Sequence, residues 1–252
     1  MQPLNLEPGM EALLKRYAPA GMNQLQGASE DEIAQIERLA GHPLPGFYRW
    51  FLSQMGRSMG PFGYPSIDFS PSKVLSCYAE GLFLPDRQFL MIGYQEDEMM
   101  PLHLFYDFDH PARDDARVVT MEELGGPVYI QFETFREMVA WGVFLDLRVD
   151  KLPQVCRGLF VSDEGDVLSQ LHPIMGALGL KAPPLIPTGP CCAMYDGDAA
   201  AMVTHATPKD EPRIHGFFVG ADNAGTIRRI LGAVATNSSL SVEIKEWTPA
   251  LA

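Results

Sequence analysis

Residues whose types could do chemistry fall in three places. Gly56-Arg57-Ser58-Met59-Gly60 matches G-x-S-x-G, the pattern that holds a nucleophilic serine on a strained turn. Such a turn works after a strand and before a helix. Here the motif follows a helical pattern, and Pro61-Phe62-Gly63 forbids a helix directly after it, so a glycine-rich turn accounts better for Ser58. His103, Asp107, Asp109, His110, Asp114 and Asp115 form the densest group of metal-ligand types. On a strand His103, Phe105 and Asp107 share one face, and Asp109 and His110 then fall in a turn before Pro111. Asp-x-Asp suits calcium, yet the glycine and bidentate glutamate of a helix–loop–helix calcium site are not at their positions. The expectation is a strand followed by a solvated acidic loop, with no metal. Glu96-Asp97-Glu98 is the third place: a solvated turn, or an acidic rim for a basic partner, since steering needs like charges clustered on one surface.

No catalytic constellation is complete, so neither a catalytic residue nor a cofactor is expected. The chain has no phosphate loop ending in Lys-Ser/Thr and no HExxH. His42, His172, His205 and His215 lack motif spacing, although His205 and His215 could meet on adjoining strands. Trp50 and Trp141 sit among apolar neighbours at helical spacing and read as core. The rival reading is a hydrolase that uses either Ser58 or a metal at His103 and Asp107.

Charge separates the two ends of the chain. Residues 1–150 hold 22 acidic and 11 basic residues, a net −11; residues 151–252 hold 10 and 8, a net −2. A field of that sign repels nucleic-acid phosphates and anionic lipid and favours basic partners. Arg228-Arg229 is too small a basic step for a nucleic-acid stripe. No run approaches the ~18 apolar residues of a membrane span, and the first residues lack a basic region followed by an apolar core. A cytoplasmic protein that binds neither membrane nor nucleic acid is expected. Cys77, Cys156, Cys191 and Cys192 form no CxxC pair, and reduced core cysteines are the expectation.

These residues must be held by a mixed set of elements. Ser29 with Glu32 makes a capping box ahead of Ile33, Ile36 and Leu39, and Gly41 stops that helix. Pro45 opens a second helix with Phe47, Trp50, Phe51 and Met55 on its buried face. Helices are also predicted over Glu7–Tyr17, after Ser70-Pro71 and over Glu133–Leu147. Strands are predicted over Phe89–Gly93, Leu102–Phe108 and Arg117–Thr120, as an antiparallel meander on the helices. A boundary is predicted at Val149–Gly158, where the acidity falls. Beyond it come a helix over Asp163–Leu178, an Asp196-Gly197 hairpin, a strand over Arg213–Gly220, a helix capped by Asp222 and a strand over Ser241–Trp247.

The frame from Ser29 to Gly56, with the capping box, Leu44-Pro45, Tyr48-Arg49, Phe51-Leu52 and a closing glycine, resembles the SUKH superfamily. That family includes fungal regulators of cell-wall synthesis and bacterial immunity proteins. Its pattern closes on Asn-Gly or Gly-Gly, and this chain has Met55-Gly56. The resemblance covers residues 7–150. It implies an α+β fold with a mainly antiparallel sheet packed against helices. Residues 151–252 would then be a C-terminal α+β extension or a small second domain. It also implies a non-enzymatic protein that neutralises a cognate toxin, or an intracellular regulator or scaffold. On that reading Glu96, Asp97, Glu98, Asp107, Asp109, Asp114 and Asp115 would steer and pair with a basic partner.

Overall fold

The computed structural model describes residues 8–64, 67–96, 101–122, 126–183, 189–207 and 213–250. The chain is of the α+β class and divides into two compact units, Met1–Val139 and Ala140–Ala252. The division lies some ten residues before the stretch in which the acidity falls. It falls inside a helix, at a place where charge composition carries no signal.

In the first unit, α1 is Pro8–Tyr17, β1 Leu25–Gln26, α2 Glu30–Ala40, α3 Gly46–Met55, β2 Ser58–Met59, β3 Ile67–Asp68 and α4 Pro71–Ala79. Then come β4 Phe89–Gln95, β5 Leu102–Ala112, β6 Asp115–Glu122, β7 Tyr129–Phe132 and α5 Phe135–Phe144, which contains the division. The capping box forms as predicted. Glu32 N–H donates to the Ser29 hydroxyl at 3.3 Å, and Ser29 N–H donates to the Glu32 carboxylate at 2.7 Å. Gly41 takes φ +71° and closes α2 by donating to the Glu37 carbonyl. One carboxylate fixes the proline turn. Glu37 accepts from Leu44 N–H at 3.1 Å and from Arg49 at 3.2 Å, and Arg49 also reaches Glu30 at 3.1 Å. The glutamate, the Leu-Pro and the Tyr-Arg of the frame therefore hold α2 against α3.

Strands β3-β4-β5-β6-β7 form one antiparallel sheet in chain order, the predicted meander with a strand added at each edge. Leu90, Tyr106 and Val118 are paired across it and so share a face. Against Tyr106 pack Tyr48 of α3, at 5.1 Å between ring centroids, and Phe135 of α5, at 5.8 Å; Phe51 and Phe135 meet at 4.8 Å. Tyr48 is fully buried, which its place in the Tyr-Arg pair had not signalled. His103, on the other face, stacks on Tyr94 at 4.5 Å and meets the edge of Phe83 at 5.3 Å.

The second unit has its own sheet. After a π-helical turn at Leu145–Val149 come β8 Gln154–Val161, α6 Val167–Ala177, β9 Cys192–Asp196 and β10 Ala200–Ala206. They are followed by β11 Ile214–Ala221, α7 Ala224–Asn237 and β12 Ser241–Thr248. The order β12-β8-β11-β10-β9 is antiparallel throughout. Without β9 it is the split β-α-β arrangement, and β9 is an added edge. The core joins Cys156, Phe160, Met202, Phe217 and Val219 of the sheet to Leu171 of α6 and Ile230 of α7. Helix starts differ from the sequence reading by a few residues, because side-chain caps decide them. Asp166 accepts from Ser169 N–H at 2.8 Å, and Asn223, not Asp222, accepts from Thr226 N–H at 3.0 Å. The Asp196-Gly197 hairpin forms, but neither residue takes a positive φ. Arg148 holds it instead, donating to Asp196 at 3.0 Å and to the Gly197 carbonyl at 2.6 Å. All four cysteines are buried.

Candidate functional site

The G-x-S-x-G segment begins where α3 ends. Ser58 lies in β2, paired with Gln26 of β1. Its hydroxyl donates to the Gln24 carbonyl at 3.3 Å and accepts from Gly60 N–H at 3.1 Å. Gly60 takes φ +65°, so this glycine serves the turn. Beside the turn is a cavity of about 280 Å³. Met55, Phe62 and Phe69 give it apolar wall; Ser58, Asp68 and Glu96 give it polar wall. No histidine is among its described lining residues. The serine therefore faces a cavity with its hydroxyl already engaged and no imidazole beside it.

The acidic residues singled out from sequence part company in the structure. Strand β5 does not stop at Phe108. It runs to Ala112, bulges between Asp107 and Pro111, and turns back through Arg113 and Asp114, with φ +59° at Arg113. The predicted solvated loop is therefore a bulged hairpin, and its acids have different surroundings. Asp107 is buried; it bonds His110 Nδ1 at 2.6 Å and accepts from Gln88 and from Asp109 N–H, both at 3.2 Å. Asp115 is buried and accepts from the Tyr106 hydroxyl at 2.8 Å, Ala116 N–H at 2.9 Å and Arg136 N–H at 2.8 Å. Burial pushes its carboxyl up to about 6, against the pull of these donors. As contacts for a partner, Asp107 and Asp115 are thus corrected: both are interior supports, and Asp115 holds the start of α5.

Asp109 and Asp114 are exposed. Asp114 accepts from Arg136 at 2.9 Å. Desolvation acts to raise its pKa, but that hydrogen bond and the Arg136 charge bring it below the ordinary carboxylate value. Glu96 is exposed at the end of β4 and lines the cavity. Asp97 and Glu98 lie outside the described residues. His103 is wholly buried, and its Nδ1 accepts from Gln95 N–H at 3.1 Å, which commits it to the sheet. Among the described residues, no group of three or more His, Cys, Asp or Glu side chains is placed to hold a metal ion.

His205 and His215 do lie on adjoining strands, but on opposite faces, since His205 pairs with Gly216 and His215 with Ala206. His215 is fully buried with neither ring nitrogen hydrogen-bonded, and burial depresses its pKa to about 4. Sequence reasoning passed over the cavity, because its lining comes from four segments with no shared spacing. The only available signal was the glycine-rich run beside it.

The first unit holds 20 acidic and 10 basic residues, a net −10, against −3 for the second. Exposed Glu96 and Asp109 of the first unit are in no ion pair among the described residues. No helix among the described residues is long and apolar enough to cross a membrane. No family model matches the chain, and no curated protein or solved structure shows a significant match to it.

Proposed function

We propose that this chain is a binding protein of the immunity kind, holding a basic protein toxin inactive in the cytoplasm through its first unit. The observation that carries this reading is the net −10 of that unit, where the SUKH-like frame also lies. A field of that sign speeds encounter with a basic partner and weakens as salt screens it. Glu96 and Asp109 carry exposed charge of the right sign, whereas the charge of Asp114 is balanced by Arg136. Toxins that act on nucleic acid present basic groups to their substrate, so a carboxylate surface competes for those groups.

The test is protection. The genes encoded beside this chain are expressed one at a time, alone and then together with it, to find one that stops growth. Growth restored by the wild-type chain, and reduced with a Glu96→Gln/Asp109→Asn variant, supports the reading. Equal killing with and without the chain contradicts it.

A further inference from the structure

We propose that the second unit holds at least one water molecule inside its core, bound between Thr204 of β10 and His215 of β11. Strand alternation puts both side chains on the covered face of the sheet. Met202 and Phe217 belong to the core shared with α6 and α7; Thr204 lies two residues beyond Met202, and His215 lies two residues before Phe217. Register then makes the two neighbours. Thr204 pairs with Phe217 and Ala206 with His215, so Thr204 and His215 are diagonal partners on one face. Both are wholly buried. The Thr204 hydroxyl and both His215 ring nitrogens have no hydrogen-bond partner among the described residues. Tyr195, further along the same face, is satisfied by contrast: its hydroxyl meets His172 Nδ1 at 3.0 Å.

These atoms need a guest that both donates and accepts. A neutral imidazole offers one donor and one acceptor, and a threonine hydroxyl offers both. Water matches that set, whereas an anion would meet only the donors and a cation only the acceptors. Leaving such groups unpaired in the interior costs more than immobilising a water does. Register also shows where the room is. Beside His215 on β10 stands Ala206, and beside Thr204 on β9 stands Ala193. Both are buried and end at a methyl group. On its other side His215 pairs with Phe160, whose ring stacks on Phe217 at 4.4 Å. Bulk therefore lies toward β8, and space for a small guest lies toward β9, over the two alanines.

The test is a crystal structure of the full chain in which ordered waters are placed, with Thr204→Val solved alongside. Valine keeps the shape of threonine and removes the hydroxyl. The wild type is expected to show a water within about 3.2 Å of both Thr204 Oγ1 and a His215 ring nitrogen, and the variant none at that place. Oxygen-17 relaxation of the solvent counts the same molecules in solution. The number of long-lived internal waters is expected to fall by about one per chain in Thr204→Val. A wild-type interior with no water in reach of the two side chains overturns the proposal. So does a water that keeps its place, and a count that keeps its value, in Thr204→Val. Should the variant fail to fold, the wild-type density decides alone.

Discussion

At the scale of single residues, two buried titratable groups give the two units opposite responses to pH. His215 has a folded-state pKa of about 4 against about 6.5 unfolded, so the unfolded chain binds its proton first. Stability from the neutral ring is present above about 6.5 and is lost as pH falls toward 4, on the order of 3 kcal/mol in all. Urea unfolding followed by Trp141 and Trp247 fluorescence should show that loss in the wild type and a flatter profile in His215→Phe. Asp115 has the reverse sign. Its folded pKa of about 6 lies above its ordinary 3.8, so its contribution is full at low pH and is lost as pH rises through 6. Asp115→Ala would strand the Tyr106 hydroxyl and two backbone N–H groups, each costing ~1–3 kcal/mol if buried unpaired. The expected result is a loss of ~3 kcal/mol or more from the unfolding free energy, read from denaturant melts at pH 7. Neither environment could be read from sequence. A histidine or aspartate carries the same letter on a core face as in a loop, and the bulge that follows Asp107 has no composition of its own.

At the scale of elements, local chemistry made the fold legible where it is strongest. The Ser29–Glu32 box, the Gly41 stop and the Pro45 start all act through backbone groups within a few residues, and all three formed where predicted. The short edge strands β1, β2 and β3 were missed, because two residues have no periodicity to read. The sequence reading ends strand β5 at Phe108 because Asp109, His110 and Pro111 look like a turn; Asp109 and His110 form the bulge, and Pro111 rejoins the ladder opposite Ala116. Close approach in the second sheet gives a sharp test. A methyl group at Gly158 of β8 would lie 2.1 Å from the Glu243 carbonyl oxygen and 2.7 Å from the Phe217 ring. Backbone cannot yield as a flexible side chain can, so Gly158→Ala should cost ~2–4 kcal/mol by thermal or urea melts. The same substitution at Gly232, which meets nothing within 4 Å, should leave stability unchanged or raise it slightly.

At the scale of the whole molecule, charge was the property that sequence reported best, since a sum over residues does not depend on where each one sits. It placed the acidity in the first part of the chain, and the unit that ends at Val139 carries most of it. The sum could not say which carboxylates face outward. Of the seven proposed as partner contacts, Asp97 and Glu98 lie outside the described residues, Asp107 and Asp115 are interior, Asp114 is tied to Arg136, and Glu96 and Asp109 remain exposed and outside any ion pair among the described residues. An association steered by that surface should slow as ionic strength rises while its dissociation rate changes little.

The most direct measurement is capture of the partner with the purified full chain from the cells that encode it, in parallel with the Glu96→Gln/Asp109→Asn variant. The expected result is a basic protein retained by the wild type, released by salt, retained less by the variant, and toxic when expressed without this chain. A chain that retains no basic protein, or one whose captured partner binds the variant equally well and is unaffected by salt, would contradict an acidic first unit as the binding surface.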